Sequence, residues 1–272
     1  MEISSLRVLV TGASGGIGKR LATLLIESGA SVLLHGRSQA QLKEYAKQCC
    51  LPESRFKIIE GDLNDPAALA QIVKAAKGYK INTLLNNAGI NSFELFEESD
   101  IDAMVNTNVI ATLHMTQLLL PHLRSLPTAI ILNIGSTFGS IGFAGYVTYS
   151  TTKHAIKGFS EALRRELADT NIKVLYISPR ATATKMNGAA VSELNTQIGV
   201  RTDSPDLVAR EVIDSLKNLL PTKQLGWPEK FQVKLNALFP GIVDGALRNK
   251  LTLIKKHIQS GSIQQKTERD KS

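Results

Sequence analysis

The sequence predicts an α/β protein: a doubly wound parallel sheet, covered by helices on both faces, in a single domain. Three observations carry this expectation. Strand-like and helix-like segments alternate six times within about 180 residues. The strand-like segments include continuous apolar runs such as Ala129-Ile130-Ile131-Leu132, the pattern of a sheet buried on both sides. Glycine-rich or polar clusters follow the strand ends, where sheets of this kind bind their ligands.

The first strand, Arg7-Val8-Leu9-Val10, leads into Thr11-Gly12-Ala13-Ser14-Gly15-Gly16-Ile17-Gly18. Leu21, Leu24, Leu25 and Ser28 follow at helical spacing, with Gly29 as the stop. Glycine lets this turn run tight and close to a ligand, and the helix amino terminus offers unpaired N–H groups to a phosphate. The second strand, Ser31-Val32-Leu33-Leu34-His35, ends at Gly36-Arg37-Ser38, with Ser38 placed to cap the next helix. An acidic residue at this strand end would hold the free ribose hydroxyls of NAD. Arg37 instead suits a 2′-phosphate, so the reading leans to NADP over NAD, with a solvated loop charge as the alternative.

Phe56-Lys57-Ile58-Ile59-Glu60 is the third strand, closed by Gly61-Asp62-Leu63, and Asp65-Pro66 opens a helix. Ile81 to Leu85 is the fourth, ending in Asn86-Asn87-Ala88-Gly89. One long helix is expected from about Ile101 to Leu120, carrying Asn106 and Asn108. The fifth strand, Ala129 to Ile134, delivers Gly135-Ser136. A helix containing Tyr149 and Lys153 runs on to about Ala168, and Lys173 to Ile177 forms the sixth strand. Residues four apart share a helix face, so a phenol stands beside an ammonium. A neighbouring positive charge favours phenolate, and a phenol tuned this way passes protons to or from a substrate oxygen.

Together these segments resemble the short-chain dehydrogenase/reductase family, in its compact single-domain branch, over roughly residues 6–184. The glycine loop resembles the family's T-G-x-x-x-G-x-G motif, and Asn86-Asn87-Ala88-Gly89 its N-N-A-G segment. Asn108, Ser136, Tyr149 and Lys153 fall where the family carries its catalytic tetrad. Pro179 and Thr184 match its P-G-x-x-x-T stretch. The resemblance implies a Rossmann fold and a nicotinamide cofactor contacted by Gly12, Ser14, Gly16, Ile17, Gly18, Arg37, Asp62, Leu63, Asn87, Ala88, Gly89, Tyr149, Lys153, Pro179, Thr182 and Thr184. It implies Tyr149 as general acid or base, Lys153 as the group lowering its pKa, and Ser136 as the holder of the substrate oxygen. Asn108 would link Lys153 to solvent through a water.

The sequence departs from the family in two places. Arg180 replaces the usual glycine after Pro179, which leaves an ordinary backbone path there or a task at the pocket mouth. Gly15 stands where many NADP users carry a basic residue, so the NADP reading rests on Arg37.

Beyond Thr184 the pattern weakens. A substrate lid is expected over about 185–203, then a helix from Ser204-Pro205 and a short strand at Leu225-Gly226-Trp227-Pro228. Carboxyl-terminal helices follow over about 228–258, and 259–272 reads as a disordered polar tail. Phe138, Ile141, Phe143, Met186, Val191, Leu194, Ile198 and Val200 favour a hydrophobic aldehyde, ketone or alcohol over a sugar or nucleotide, with packing against the body, away from any substrate, as the equal alternative.

The net charge of +8 concentrates in residues 241–272, where seven basic residues face three acidic ones. No zinc-finger, basic-zipper or RNA-reading pattern accompanies it, which argues against nucleic acid. The histidines lack metal-ligand spacing. For the basic, apolar carboxyl-terminal row, a packing helix or subunit contact is preferred to a membrane-surface helix. A homodimer or homotetramer is expected by resemblance alone. Two adjacent cysteines, Cys49 and Cys50, and no signal-like leader suggest a reducing cytoplasm. The alternative to an enzyme is a cofactor-binding regulatory or scaffold protein with the same fold.

Overall fold

The computed structural model describes residues 1–184 and 186–269. The chain winds through β1 (Arg7–Val10), α1 (Gly16–Glu27), β2 (Ser31–Gly36), α2 (Gln39–Gln48), β3 (Phe56–Glu60), α3 (Pro66–Gly78) and β4 (Thr83–Asn86). It continues through α4 (Ile101–Val105), α5 (Ala111–Arg124), β5 (Ala129–Ile134), α6 (Val147–Glu166) and β6 (Ile172–Ser178). The last elements are α7 (Ala189–Gln197), α8 (Pro205–Asn218), β7 (Thr222–Gln224), α9 (Glu229–Leu238), α10 (Pro240–Arg248) and α11 (Leu251–Arg269).

Seven parallel strands form the sheet in the order β3-β2-β1-β4-β5-β6-β7. Strand alternation sends Val8 and Val10 to one face and Leu9 to the other. The first face packs under α1, α2 and α8 through Leu21, Leu25, Leu42, Val212 and Leu216. The second packs under α3, α5 and the end of α6 through Ile72, Met115, Leu119 and Leu163. Strand order reverses between β1 and β4, and the crevice above a reversal is where such sheets bind ligands.

Polar residues pin the same region from inside. In register across β4 and β5, Asn86 Nδ2 donates to Asn133 Oδ1 at 2.8 Å and to Thr116 Oγ1 at 3.2 Å. Asn133 Nδ2 donates in turn to Ser160 Oγ at 2.8 Å. A fully satisfied buried network of this kind holds one register.

Several elements differ from the sequence expectation. The long helix is broken by a π-helical turn at Asn106–Ile110 and extends to Arg124. The last strand lies at Thr222–Gln224 rather than Leu225–Pro228, because Gly226 adopts φ +84° and Pro228 lacks a donor. The carboxyl-terminal apolar row is divided among α9, α10 and α11. Helix α11 continues through residues 259–269, where a disordered tail was expected; glutamine, lysine, glutamate and arginine are all good helix formers. Residues 270–272 of that tail, and residue 185 of the expected lid, lie outside the described residues.

Candidate active site

The turn after β1 is set by its backbone. Gly12 sits at φ +66°, and a Cβ there would come within 2.9 Å of Ala88 Cα, so only glycine fits. Gly16 opens α1, and a Cβ on it would meet Thr184 Cγ2 at 2.6 Å. That contact places Thr184 directly over the loop. The helix has no side-chain cap at Gly15, which leaves its first N–H groups directed at the cleft for an anion.

Thr11, given no role by sequence reasoning, joins this loop to the end of β4. Its Oγ1 accepts from Asn87 N and Ala88 N, both at 3.0 Å. Asn87 Nδ2 donates back to Thr11 O at 3.0 Å and Gly12 O at 3.2 Å. The two glycine-bearing segments are thereby one rigid floor.

Ser136 caps the short turn after β5, accepting from Phe138 N at 3.1 Å. The same hydroxyl is near enough to the Tyr149 phenol to favour its ionised form. One side chain thus serves both as a cap and as a neighbour of the Tyr149 phenol. Tyr149 stands on α6 with Lys153 Nζ 5.6 Å from its ring centroid, and Phe138 meets the ring edge-on at 6.3 Å. Tyr149 is partly exposed to the cleft. Burial pushes the phenol up to about 12, opposed by the Ser136 hydrogen bond.

The expected lowering of this phenol by Lys153 is therefore absent in the cofactor-free chain. Lys153 is itself buried, donates to Ile134 O at 3.0 Å, and burial brings its ammonium down to about 8. Burial, the largest influence on the phenol, outweighs any help from this ammonium.

A depressed lysine pKa also predicts a stability trend. Between about 8 and 10.5 the unfolded chain binds more protons than the folded one, so Lys153 adds stability as pH rises through that window. Thermal melts of the cofactor-free protein should show wild type gaining on Lys153→Met across this interval. Parallel melting curves would contradict the buried-ammonium assignment.

Asn108 lies within the π-helical turn, buried. Its Oδ1 accepts from Ile90 N at 2.8 Å, and its Nδ2 donates to Ile90 O at 2.8 Å and Thr152 Oγ1 at 3.1 Å. It makes no direct bond to Lys153, although a Cβ on Gly89 would lie 3.1 Å from Asn108 Oδ1 and 3.9 Å from Lys153 Nζ. Its observed work is to clamp the segment after β4 against α6.

These residues line one cleft of about 1040 Å³. Gly12, Ser14, Gly16, Ile17 and Gly18 stand at one end, with Arg37, Asp62 and Leu63 beside them. Asn87, Ala88, Gly89, Ser136, Tyr149, Lys153, Pro179, Thr182 and Thr184 border its middle. Asn108 is the one sequence-expected site residue that stands behind the cleft wall. Arg37 is exposed and, among the described residues, has no ion-pair partner; Asp62 Oδ1 accepts from Asn64 N at 2.9 Å. Phe138, Ile141, Phe143, Met186, Val191 and Leu194 line the far end, joined by Phe231, Leu235 and Ile242 from α9 and α10.

Arg180, only partly exposed, sits in an ionic cluster that sequence reasoning did not reveal. Its Nη2 lies 2.6 Å from Asp203 Oδ1 and its Nη1 lies 3.2 Å from Glu229 Oε2 and 3.2 Å from Trp227 O. Asp203 also pairs through its backbone, donating to Ala181 O at 2.8 Å and accepting from Ala183 N at 2.9 Å. Arg180 therefore ties the segment under Thr182 and Thr184 to the end of the lid and to the start of α9. Among the described residues, no group of histidine, cysteine, aspartate and glutamate side chains could hold a metal. No helix among them is long and apolar enough to cross a membrane.

Comparison with known proteins agrees with this geometry. The family described as short chain dehydrogenase matches residues 7–195. The uncharacterized oxidoreductase DltE of Bacillus subtilis is 35% identical over 197 residues, 69% of this chain and 75% of that protein. Among solved structures, a serine dehydrogenase complexed with NADP+ superposes with a TM-score of 0.71 at 28% identity, covering 81% of this chain and 94% of that one. A short chain dehydrogenase from Burkholderia cenocepacia in complex with NADP gives 0.75 at 26% identity, over 85% and 100% of the two chains. A 3-ketoacyl-(acyl-carrier-protein) reductase from Brucella melitensis complexed with NADH shares the fold, with a TM-score of 0.75 at 23% identity. By its sheet order, its cleft and these matches, the chain belongs to the short-chain dehydrogenase family of oxidoreductases.

Proposed function

We propose that this oxidoreductase uses NADP to interconvert an apolar ketone or aldehyde and its alcohol, with Tyr149 moving the proton. The observation that carries the reading is a single one. The Tyr149 phenol, with Ser136 at its oxygen and Lys153 beside its ring, shares one cleft with the uncapped glycine loop at the start of α1.

The residues present fit a dinucleotide. The glycine loop and the α1 amino terminus suit the pyrophosphate, Asp62 and Leu63 the adenine side, and Asn87 to Gly89 the middle of the molecule. Lys153, Thr182 and Thr184 suit the nicotinamide end. When bound, the cofactor supplies the hydride. The protein's part is to hold the carbonyl oxygen at Ser136 and deliver the Tyr149 proton to it. A phenol held protonated near neutral pH favours the direction that consumes a proton, carbonyl reduction. The apolar far end favours a hydrophobic substrate.

Arg37 carries the NADP preference, as an exposed cation at the end of β2 with no partner among the described residues. Two relatives above 25% identity hold NADP in their structures, which supports the same choice here. Arg37→Ala should weaken NADPH binding about tenfold or more and leave NADH nearly unchanged, since a charged phosphate contact is worth about 1.5–3 kcal/mol. Fluorescence titration of both cofactors measures this, and equal loss for both would overturn the assignment. The activity is tested by following oxidation of NADPH with a panel of aliphatic and aromatic aldehydes and ketones. Tight NADPH binding with no turnover on any of them would favour a cofactor-binding scaffold instead. A cytoplasmic setting and a homo-oligomeric state belong to the same proposal.

A further inference from the structure

Helices α9 and α10 are built against the usual rule for a surface helix. No apolar side chain of either is buried. The residues of α9 that bind the body are polar: Glu229 pairs with Arg180, and Asn236 Nδ2 donates to Ser140 O at 2.9 Å. They are seven apart and so share a helix face. The apolar residues are left outside. Leu238 is 72% exposed, Phe239 57% and Ile242 59%, and Trp227, just before α9, is 66% exposed. Leu238, Phe239 and Trp227 stand outside the cleft lining, so a substrate in the cleft leaves them uncovered. Exposed apolar surface in such a concentration marks a contact site.

Charge selects the partner. Helices α9 and α10 hold Lys230, Lys234 and Arg248 against Asp244, while their other carboxylate, Glu229, is paired with Arg180. A second copy docking through the same patch would set one basic row against another, because a two-fold contact uses the same surface twice. An anionic lipid surface satisfies both features, taking apolar side chains into its acyl boundary and basic ones at its headgroups.

We infer that α9 and α10 are a peripheral docking surface for an anionic bilayer. Phe231, Leu235 and Ile242 belong to the same two helices and line the cleft, so docking brings the cleft mouth to the membrane. The row with Ile254 and Ile258, for which a packing helix or subunit contact was preferred to a membrane-surface helix, packs α11 against Leu194 of α7. The docking face is the pair of helices before it.

The docking inference stands apart from the catalytic one and is read without turnover. The full chain is mixed with vesicles of equal parts phosphatidylcholine and phosphatidylglycerol, or of phosphatidylcholine alone, and binding is followed by flotation. Trp227 is the only tryptophan, so its emission reports the patch directly. The expected result is binding to the mixed vesicles, weakened by salt, with Trp227 emission moved to shorter wavelength. The double variant Leu238→Glu/Phe239→Glu alters only exposed side chains outside the cleft. It should lower vesicle binding about tenfold or more while melting and binding NADPH like wild type. Absence of vesicle binding by the wild type overturns the inference. So does undiminished binding by the variant, or a wild-type oligomer that the variant splits without any change in vesicle binding.

Discussion

Tyr149→Phe should lower kcat about 10²–10⁴-fold, the usual contribution of a positioned general acid or base. Affinity for NADPH should stay close to wild type, because the cofactor's phosphates and ribose are matched to other residues. The expectation rests on the phenol's surroundings. Its oxygen stands beside Ser136, its ring is flanked by Phe138 and Tyr146, and burial keeps it protonated, up to about 12. The carbonyl-reducing direction needs that proton; the alcohol-oxidising direction needs the phenolate and should therefore accelerate with rising pH. Tyr146 supplies a control, as its own phenol is pushed well above the usual range by burial and it also borders the cleft. Steady-state kinetics and a cofactor titration on the two Tyr→Phe variants decide the matter. A Tyr149→Phe enzyme within a few-fold of wild type would remove Tyr149 from the chemistry.

Arg180→Met should lower stability by about 3–5 kcal/mol, the cost of leaving buried carboxylates without their cation. Side-chain exposure in the cluster is only 13% for Arg180, 5% for Asp203 and 9% for Glu229. The melting temperature should fall by roughly 10 °C, at about 2–4 °C per kcal/mol for a chain of this size. Adding Asp203→Leu and Glu229→Leu to Arg180→Met should restore most of the loss, since an apolar replacement of a whole buried cluster is often neutral. NADPH binding separates the structural role from a passive one. Loosening Asp203 frees the Ala181–Ala183 backbone beneath Thr182, so Kd for the cofactor should rise in the single variant. Melting within about 1 °C of wild type would show that the cluster contributes nothing to stability.

The parts of this molecule legible in its sequence are those built from neighbours in the chain. The glycine loop, the Asn87–Gly89 segment and the Tyr149–Lys153 pair each lie within a few residues and carry their own geometry. The apolar runs of β1, β2, β5 and β6 identify themselves because they are buried on both faces. Contacts between distant segments left no such trace. Arg180 meets Asp203 and Glu229, 23 and 49 residues away, and nothing periodic announces either pairing. The π-helical turn at Asn106–Ile110 preserves an ordinary helical composition, so one continuous helix was the natural reading. Helix α9 shows a different limit of sequence patterning. Its contacts to the body run through Glu229 and Asn236 while Leu238 stays outside, and periodicity alone does not tell inside from outside.

The third hydrophobic cluster has a consequence for how the cleft opens. Leu194 of α7 packs with Ile254 and Ile258 of α11, and these three buried residues lie apart from both faces of the sheet. Lid and final helix are held together, and against Phe93, Leu95, Phe143 and Ala144 of the loops below, by far fewer buried apolar residues than the sheet core. Such a unit unfolds locally at a fraction of the global free energy. Amide hydrogen exchange should therefore be faster in α7 and α11, which close the far end of the cleft, than in β1 and β5 beneath it.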